Sequence, residues 1–211
     1  ADPYLYPNID WMKILFKDFG RNRTANANIS GGSDMAVYYV GLSYYGEDGL
    51  YKVDRRHDYN ANTSYARYSV TSNLTLKPHK TTEIKLGIQG YLANANYPAA
   101  SNSTIFGAAF ATQPNYIFPV YPNGYIADRP SGTVTNPYAI LNEQGYAEQW
   151  RSQLFSNLKI TQQLPWITEG LSISGMFSFD IYSYTSNRYT RKPTTFMALG
   201  RDEDGYLVYQ Q

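Results

Sequence analysis

Between Asn115 and Pro130 the chain reads NYIFPVYPNGYIADRP. Tyr116, Tyr121 and Tyr125 recur at intervals of five and four residues, with Asn123 among them and Asp128 and Arg129 just beyond. These residue types suit recognition more than bond-breaking. Aromatic rings stack on sugars, and amides and charged groups bond hydroxyls. The same six residues have a second use, to hold their own loop folded or to meet a protein partner. YPNG (Tyr121–Gly124) is a turn, since Pro122 presets its backbone angle and Gly124 accepts a positive φ. Upstream, SNSTIFGAAFAT predicts a short helix carrying Ile105, Phe106, Ala109 and Phe110, capped by Ser103 or Thr104.

No catalytic machinery accompanies that set. GLSIS and GLSYY each lack the second glycine of a nucleophile elbow. A glycosidase needs two carboxylates on one cleft, and Glu83 and Asp180 belong to different strands with nothing to pair them. DEDG (Asp202–Gly205) begins like a calcium loop but lacks the remaining ligands. His57 and His79 have no second ligand at metal spacing and read as solvated loop histidines. There is no Cys, and so no thiolate chemistry. The net charge of +1 has no basic cluster behind it, which excludes nucleic acid as a partner. The expectation is a protein that is not an enzyme and carries no metal or cofactor.

The elements that position the loop are strands. TTEIKLGIQGYLA (Thr81–Ala93) sets Ile84, Leu86, Ile88 and Leu92 on one face, and Glu83, Lys85, Gln89 and Tyr91 on the other. The same alternation predicts six strands, near 21–30, 36–47, 64–77, 82–96, 146–162 and 171–190. Long loops are expected near 1–20, 48–63, 97–145 and 191–211, whereas GGSDM, KPHKT and QLPWITEG are short joins. A soluble strand averages about five or six residues, and a membrane-crossing strand needs about nine to eleven. Long strands with short turns at one end and long loops at the other predict an all-β fold, an antiparallel transmembrane β-barrel segment. Its apolar face would meet membrane lipid and its polar face a wet lumen. Tyr, at 22 residues, suits the aromatic girdles of such a wall. Trp166 is the candidate on the turn side, Tyr44 and Tyr45 on the loop side. Two rivals fit part of the pattern: a secreted soluble β-sandwich that binds carbohydrate, and a passive porin.

Several stretches, in order, resemble one family. They are NIDW (Asn8–Trp11), NISGGSDMAVYYVGLSYYGEDGLYK (Asn28–Lys52), ARYSVTSNLTL (Ala66–Leu76), YPNG, NPYAILNEQGY (Asn136–Tyr146) and SNLKITQQLPWITEGLSISGMFSFDIY (Ser156–Tyr182). The set is similar to the SusC-like TonB-dependent transporters of Bacteroidetes outer membranes. That resemblance implies a barrel of 22 strands around a plug. It also implies a SusD-like surface lipoprotein as partner, TonB acting through an N-terminal part, and a glycan or oligopeptide as the nutrient. Against that pattern the chain holds no plug, TonB box or signal peptide. The expectation is therefore a piece of such a transporter, about strands two to seven, in the cell outer membrane, with the remaining barrel and plug as its partners.

Overall fold

The computed structural model describes residues 2–54, 56–130 and 133–211. In chain order they form α1 (Trp11–Leu15), β1 (Arg21–Gly32), β2 (Ala36–Asp48), β3 (Ser64–His79), β4 (Thr82–Pro98) and α2 (Asn102–Ala111). There follow β5 (Ile126–Ala127), α3 (Pro137–Asn142), β6 (Gly145–Gln163), β7 (Ser172–Thr190), β8 (Thr195–Arg201) and β9 (Leu207–Gln210). Six of the strands make one sheet in the order β1-β2-β3-β4-β6-β7, with every neighbour antiparallel. A smaller sheet joins β5, β8 and β9.

Register turns the alternation of each strand into rows across the large sheet. Leu42, Val70, Gly90, Leu154 and Ile181 stand side by side from β2 to β7. Another row on the same face is Tyr38, Leu74, Leu86, Leu158 and Phe177. Because side chains repeat with period two, a slip of one residue would exchange the faces, so these rows fix the register. The apolar band runs from Ile84 to Leu92 on β4 and from Ile173 to Ile181 on β7, nine residues each. That is the length a tilted strand needs to cross hydrocarbon. Ser156 interrupts the band, and its Oγ donates to the carbonyl of Phe179 at 2.7 Å, so that hydroxyl is satisfied inside the sheet.

Nothing among the described residues covers that face. Leu92 is 63% exposed and Phe177 66%. A sandwich would pack a second sheet there, and the described residues supply none. No helix among the described residues is long and apolar enough to span a membrane, which leaves strands free to do so. The opposite face is polar and charged. Lys85 stands beside Thr75 and Lys159 and pairs with Glu83 at 2.9 Å. Arg67 lies over the Tyr91 ring, 4.1 Å from its centroid.

Three short turns close one end of the sheet. In the longest, Gly170 takes φ +80° and Leu164 N–H donates to Leu171 O at 2.8 Å. Trp166 projects from it, 66% exposed, at the edge of the apolar band. At the loop end Tyr44 packs on Tyr68, ring centroids 5.1 Å apart, on the apolar face. Tyr45 does not join this girdle. Its odd position sends it to the polar face, where its hydroxyl donates to Glu47 at 2.9 Å.

The buried apolar cluster sits in the loops. Trp11, Leu15, Phe16, Tyr51, Ile105, Ala109, Ile117, Ile126 and Tyr138–Leu141 pack together at the loop end. The long connections thus fold into a cap with its own core. Several features of the cap differ from the sequence reading, beginning with α1 and α3, which fall in segments expected as loops. Ser101, not Ser103 or Thr104, caps α2, accepting from Thr104 N–H at 3.1 Å. Residues 191–211 hold the β8–β9 hairpin, and β8 pairs parallel with β5, an edge that local alternation does not announce.

Ile88 lies midway along the apolar band, and Gln89 next to it faces the polar side. In the complete membrane protein, Ile88→Arg should cost about 2–4 kcal/mol of folding stability, as expected for a cation at mid-bilayer depth. Gln89→Arg should cost under about 1 kcal/mol, because surface-type changes do little. Denaturant titration of lipid-reconstituted protein measures both.

Candidate functional site

Each cap element is started by a side chain that satisfies free backbone donors. Asp10 accepts from Lys13 N–H at 3.0 Å at α1. At α3, Asn136 accepts from Tyr138 N–H at 2.9 Å, and Pro137 occupies the first helical position. Asn136 is fully buried, and its amide also donates to the carbonyls of Pro119 (2.8 Å) and Ala127 (2.6 Å). One side chain therefore fixes the helix start, the 118–120 segment and β5 together.

The six residues singled out in the loop separate into two groups. Asp128 is buried, and its carboxylate is fully used. It accepts from Arg129 N–H (2.8 Å), Thr135 N–H and Oγ1 (both 2.6 Å) and Asn136 N–H (3.1 Å). Tyr121 is also buried. Its hydroxyl accepts from Ala198 N–H at 3.0 Å, and its ring packs against Tyr209 with centroids 5.1 Å apart. Burial pushes its phenol pKa up. These two residues hold the loop together from inside it, the Asp128 carboxylate with all its acceptor capacity used.

The other four lie at the surface. Arg129 stacks over Tyr116, 4.5 Å from the ring centroid. Tyr125 stacks on Phe196 at 4.0 Å and 14°. Asn123 is exposed and accepts from Tyr125 N–H at 3.0 Å. The turn beneath them has Gly124 at φ +87° and Gly124 N–H donating to Tyr121 O at 2.9 Å. Tyr116 with Arg129, and Tyr125 with Asn123, thus present two aromatic-polar pairs outward.

A second cluster was missed by the sequence reading. His57 is not a free loop histidine: its Nε2 lies 2.7 Å from Glu143 Oε2, with the Arg191 guanidinium 3.9 Å from the same oxygen. Tyr59 stacks flat on His57, centroids 5.0 Å apart, and donates to Asn142 O at 3.0 Å. Nearby, Tyr138 donates to Asp54 at 2.5 Å, and Arg56 pairs with Asp54 at 2.9 Å. Burial, and then the bond to the Asp54 carboxylate, hold the Tyr138 phenol well above its ordinary range. The cluster bolts the 53–60 loop to α3 and to the start of β6. Only NP at Asn136–Pro137, a helix-start signal, was readable beforehand.

Below the cap, a cavity of about 440 Å³ opens where the polar face of β1 and β2 meets the loops. Tyr45, Glu47 and Asn22 line it from the sheet, and Phe16, Tyr51 and Phe106 from the cap. Phe16 and Phe106 stack at 4.6 Å and 20°. The Tyr51 hydroxyl donates to Asn102 at 2.8 Å, and burial raises its pKa. Among the described residues no cluster of His, Cys, Asp and Glu can hold a metal ion.

A two-faced antiparallel sheet of long strands, turned short at one end and capped at the other, is a stretch of transmembrane β-barrel wall. Comparison with known proteins leads to the same class. The chain is similar over 201 residues to TonB-dependent receptor P3 of Formosa agariphila, at 21% identity, covering 90% of this chain and 18% of that protein. A second relative, TonB-dependent receptor P26 of the same organism, is 28% identical over 121 residues, 57% of this chain and 10% of the receptor. Among solved structures, the RagAB peptide importer in its closed-closed state superposes with TM-score 0.59 at 21% identity, covering 85% of this chain and 19% of that one. Its open-open state gives TM-score 0.58 at 22% identity, with 84% and 19% covered. No protein-family model matches the chain. The chain is similar to TonB-dependent receptors and shares its fold with part of a solved peptide importer. It spans about a fifth or less of the length of these proteins. The matched proteins are named as receptors and the solved structures as a peptide importer, none of them as an enzyme.

Asp128→Ala leaves two backbone N–H groups from Thr135 and Asn136 buried without a partner. It should destabilise the cap by about 3 kcal/mol, the scale of losing bonds to a charged acceptor. Hydrogen exchange over residues 112–142 should accelerate while β3 and β4 stay protected.

Proposed function

We propose that this chain is wall and cap of a SusC-like, TonB-dependent transporter that imports oligopeptides across a Gram-negative outer membrane of Bacteroidetes type. The observation that carries the reading is the two-faced sheet with a packed cap at the end of its polar side. A lumen lined by Lys, Arg, Ser, Thr, Asn and Tyr suits a wet path for a polar nutrient. The similarity to a solved peptide importer favours peptides over glycans.

β1 and β7 are the outer strands of the sheet. In hydrocarbon, their free N–H and C=O rows call for further strands. The remaining barrel and its plug would supply these, and TonB would act through an N-terminal part of the whole protein. A SusD-like surface lipoprotein would close over the cap. The outward pairs Tyr116–Arg129 and Tyr125–Asn123 are where we expect it, or the nutrient, to touch. Tyr121 and Asp128 act behind them as supports.

The test is uptake of a labelled oligopeptide mixture by cells that carry the complete gene, with and without functional TonB. Uptake that requires both the gene and TonB is the expected result. Uptake that persists without TonB would mark a passive pore. Uptake of labelled glycans in place of peptides would assign the other nutrient.

A further inference from the structure

The cavity under the cap has a chemical character that the transport reading alone does not require. Glu47 projects into it from the polar face of β2, near the loop end. Its carboxylate accepts the Tyr45 hydroxyl at 2.9 Å, and among the described residues it forms no ion pair, although Arg21 lines the same cavity near the strand ends. The next residue, Asp48, is by contrast neutralised by Arg23 at 2.9 Å. Both carboxylates reach the cavity lining, Asp48 already paired with Arg23 and Glu47 held only by the Tyr45 hydroxyl.

The wall opposite Glu47 is aromatic and mostly apolar. Phe16 is buried, and Phe106, stacked on it, is 37% exposed toward open space. Tyr51 completes the surface, its ring 5.5 Å from Phe16, with its hydroxyl already committed to Asn102. Polar partners (Asn22, Asp48 and Thr63) lie on the sheet and loop side of the cavity, whereas the cap side offers ring faces. A group with an apolar stem and a cationic tip fits both sides. Its methylenes would lie along Phe16 and Phe106, its charge would reach Glu47, and the ring faces would attract the same cation.

We infer that this cavity is a subsite for a basic side chain, Lys or Arg, of the imported peptide, with Glu47 as its charge partner. The inference rests on the peptide-importer reading above. It predicts that the transporter selects among peptides by charge at one position, at the mouth of the lumen. Tyr45 serves as a positioning residue that holds the carboxylate.

The test uses the complete transporter with its partner lipoprotein in lipid nanodiscs. Four peptides are compared by calorimetry, identical except for Lys, Arg, norleucine or Glu at one position. The Lys and Arg peptides should bind about three- to fivefold more tightly than norleucine, fivefold being the upper range for a partly exposed ion pair. The Glu peptide should bind more weakly than norleucine. Glu47→Gln is isosteric and exposed, and should bring Lys and norleucine within about twofold by weakening the Lys peptide. Phe106→Ala should weaken the Lys, Arg and norleucine peptides alike. Equal binding of Lys and norleucine peptides to the wild type overturns the subsite but leaves the importer standing. So does a preference that survives Glu47→Gln. If none of the peptides binds, the importer reading itself falls, and the subsite with it.

Discussion

A backbone crossing hydrocarbon has no water to bond its N–H and C=O groups, so every strand must be paired along its whole membrane-facing length. The ladders from β1 to β7 meet that demand, and the rest of the molecule follows from how they meet it. Once register is fixed, period two gives each strand one lipid side and one wet side. The apolar rows through Val70 and Gly90 and through Leu74 and Leu86 then have no choice of face. Of the serines in the row through Ile88, Ser72 and Ser156, the second answers to the rule by bonding a strand carbonyl.

With its apolar side chains spent on lipid, the sheet has none left for a conventional core. That burden passes to the loops. Leu15, Ile105 and Leu141 are fully buried in the cap, far along the chain from one another. The cap also uses buried polar residues as fasteners. Asn136 and Asp128 each gather several backbone groups that no regular element pairs, which is what a buried loop must do to be stable. A cap built in this way is rigid enough to shape a cavity against the strand ends, and there the aromatic wall of Phe16 and Phe106 meets Glu47.

The strands were legible in the sequence because their signal is local: Ile84, Leu86 and Ile88 alternate within a few residues. The short turns were legible for the same reason. The cap was not, because its contacts join positions remote in sequence. His57 meets Glu143 and Arg191, and Asp54 meets Tyr138, with nothing nearby to announce either. Among the loop residues chosen for recognition chemistry, Asp128 and Tyr121 lie inside. The composition of a binding surface and that of a polar loop core are the same; only burial separates them. Glu47 escaped notice for the opposite reason. It reads as one more polar residue on a strand, and only the fold brings Phe106 to it.

The most direct test of the barrel wall uses the lack of cysteine in this chain. Single cysteines placed at successive positions from Ile84 to Leu92, in the complete protein reconstituted in lipid, would each carry a fluorophore. A quencher fixed to the acyl chains should dim positions 84, 86, 88, 90 and 92, and a water-soluble quencher should dim 85, 87, 89 and 91. Quenching by the aqueous agent at every position, with no alternation, would contradict a wall that faces lipid on one side and water on the other.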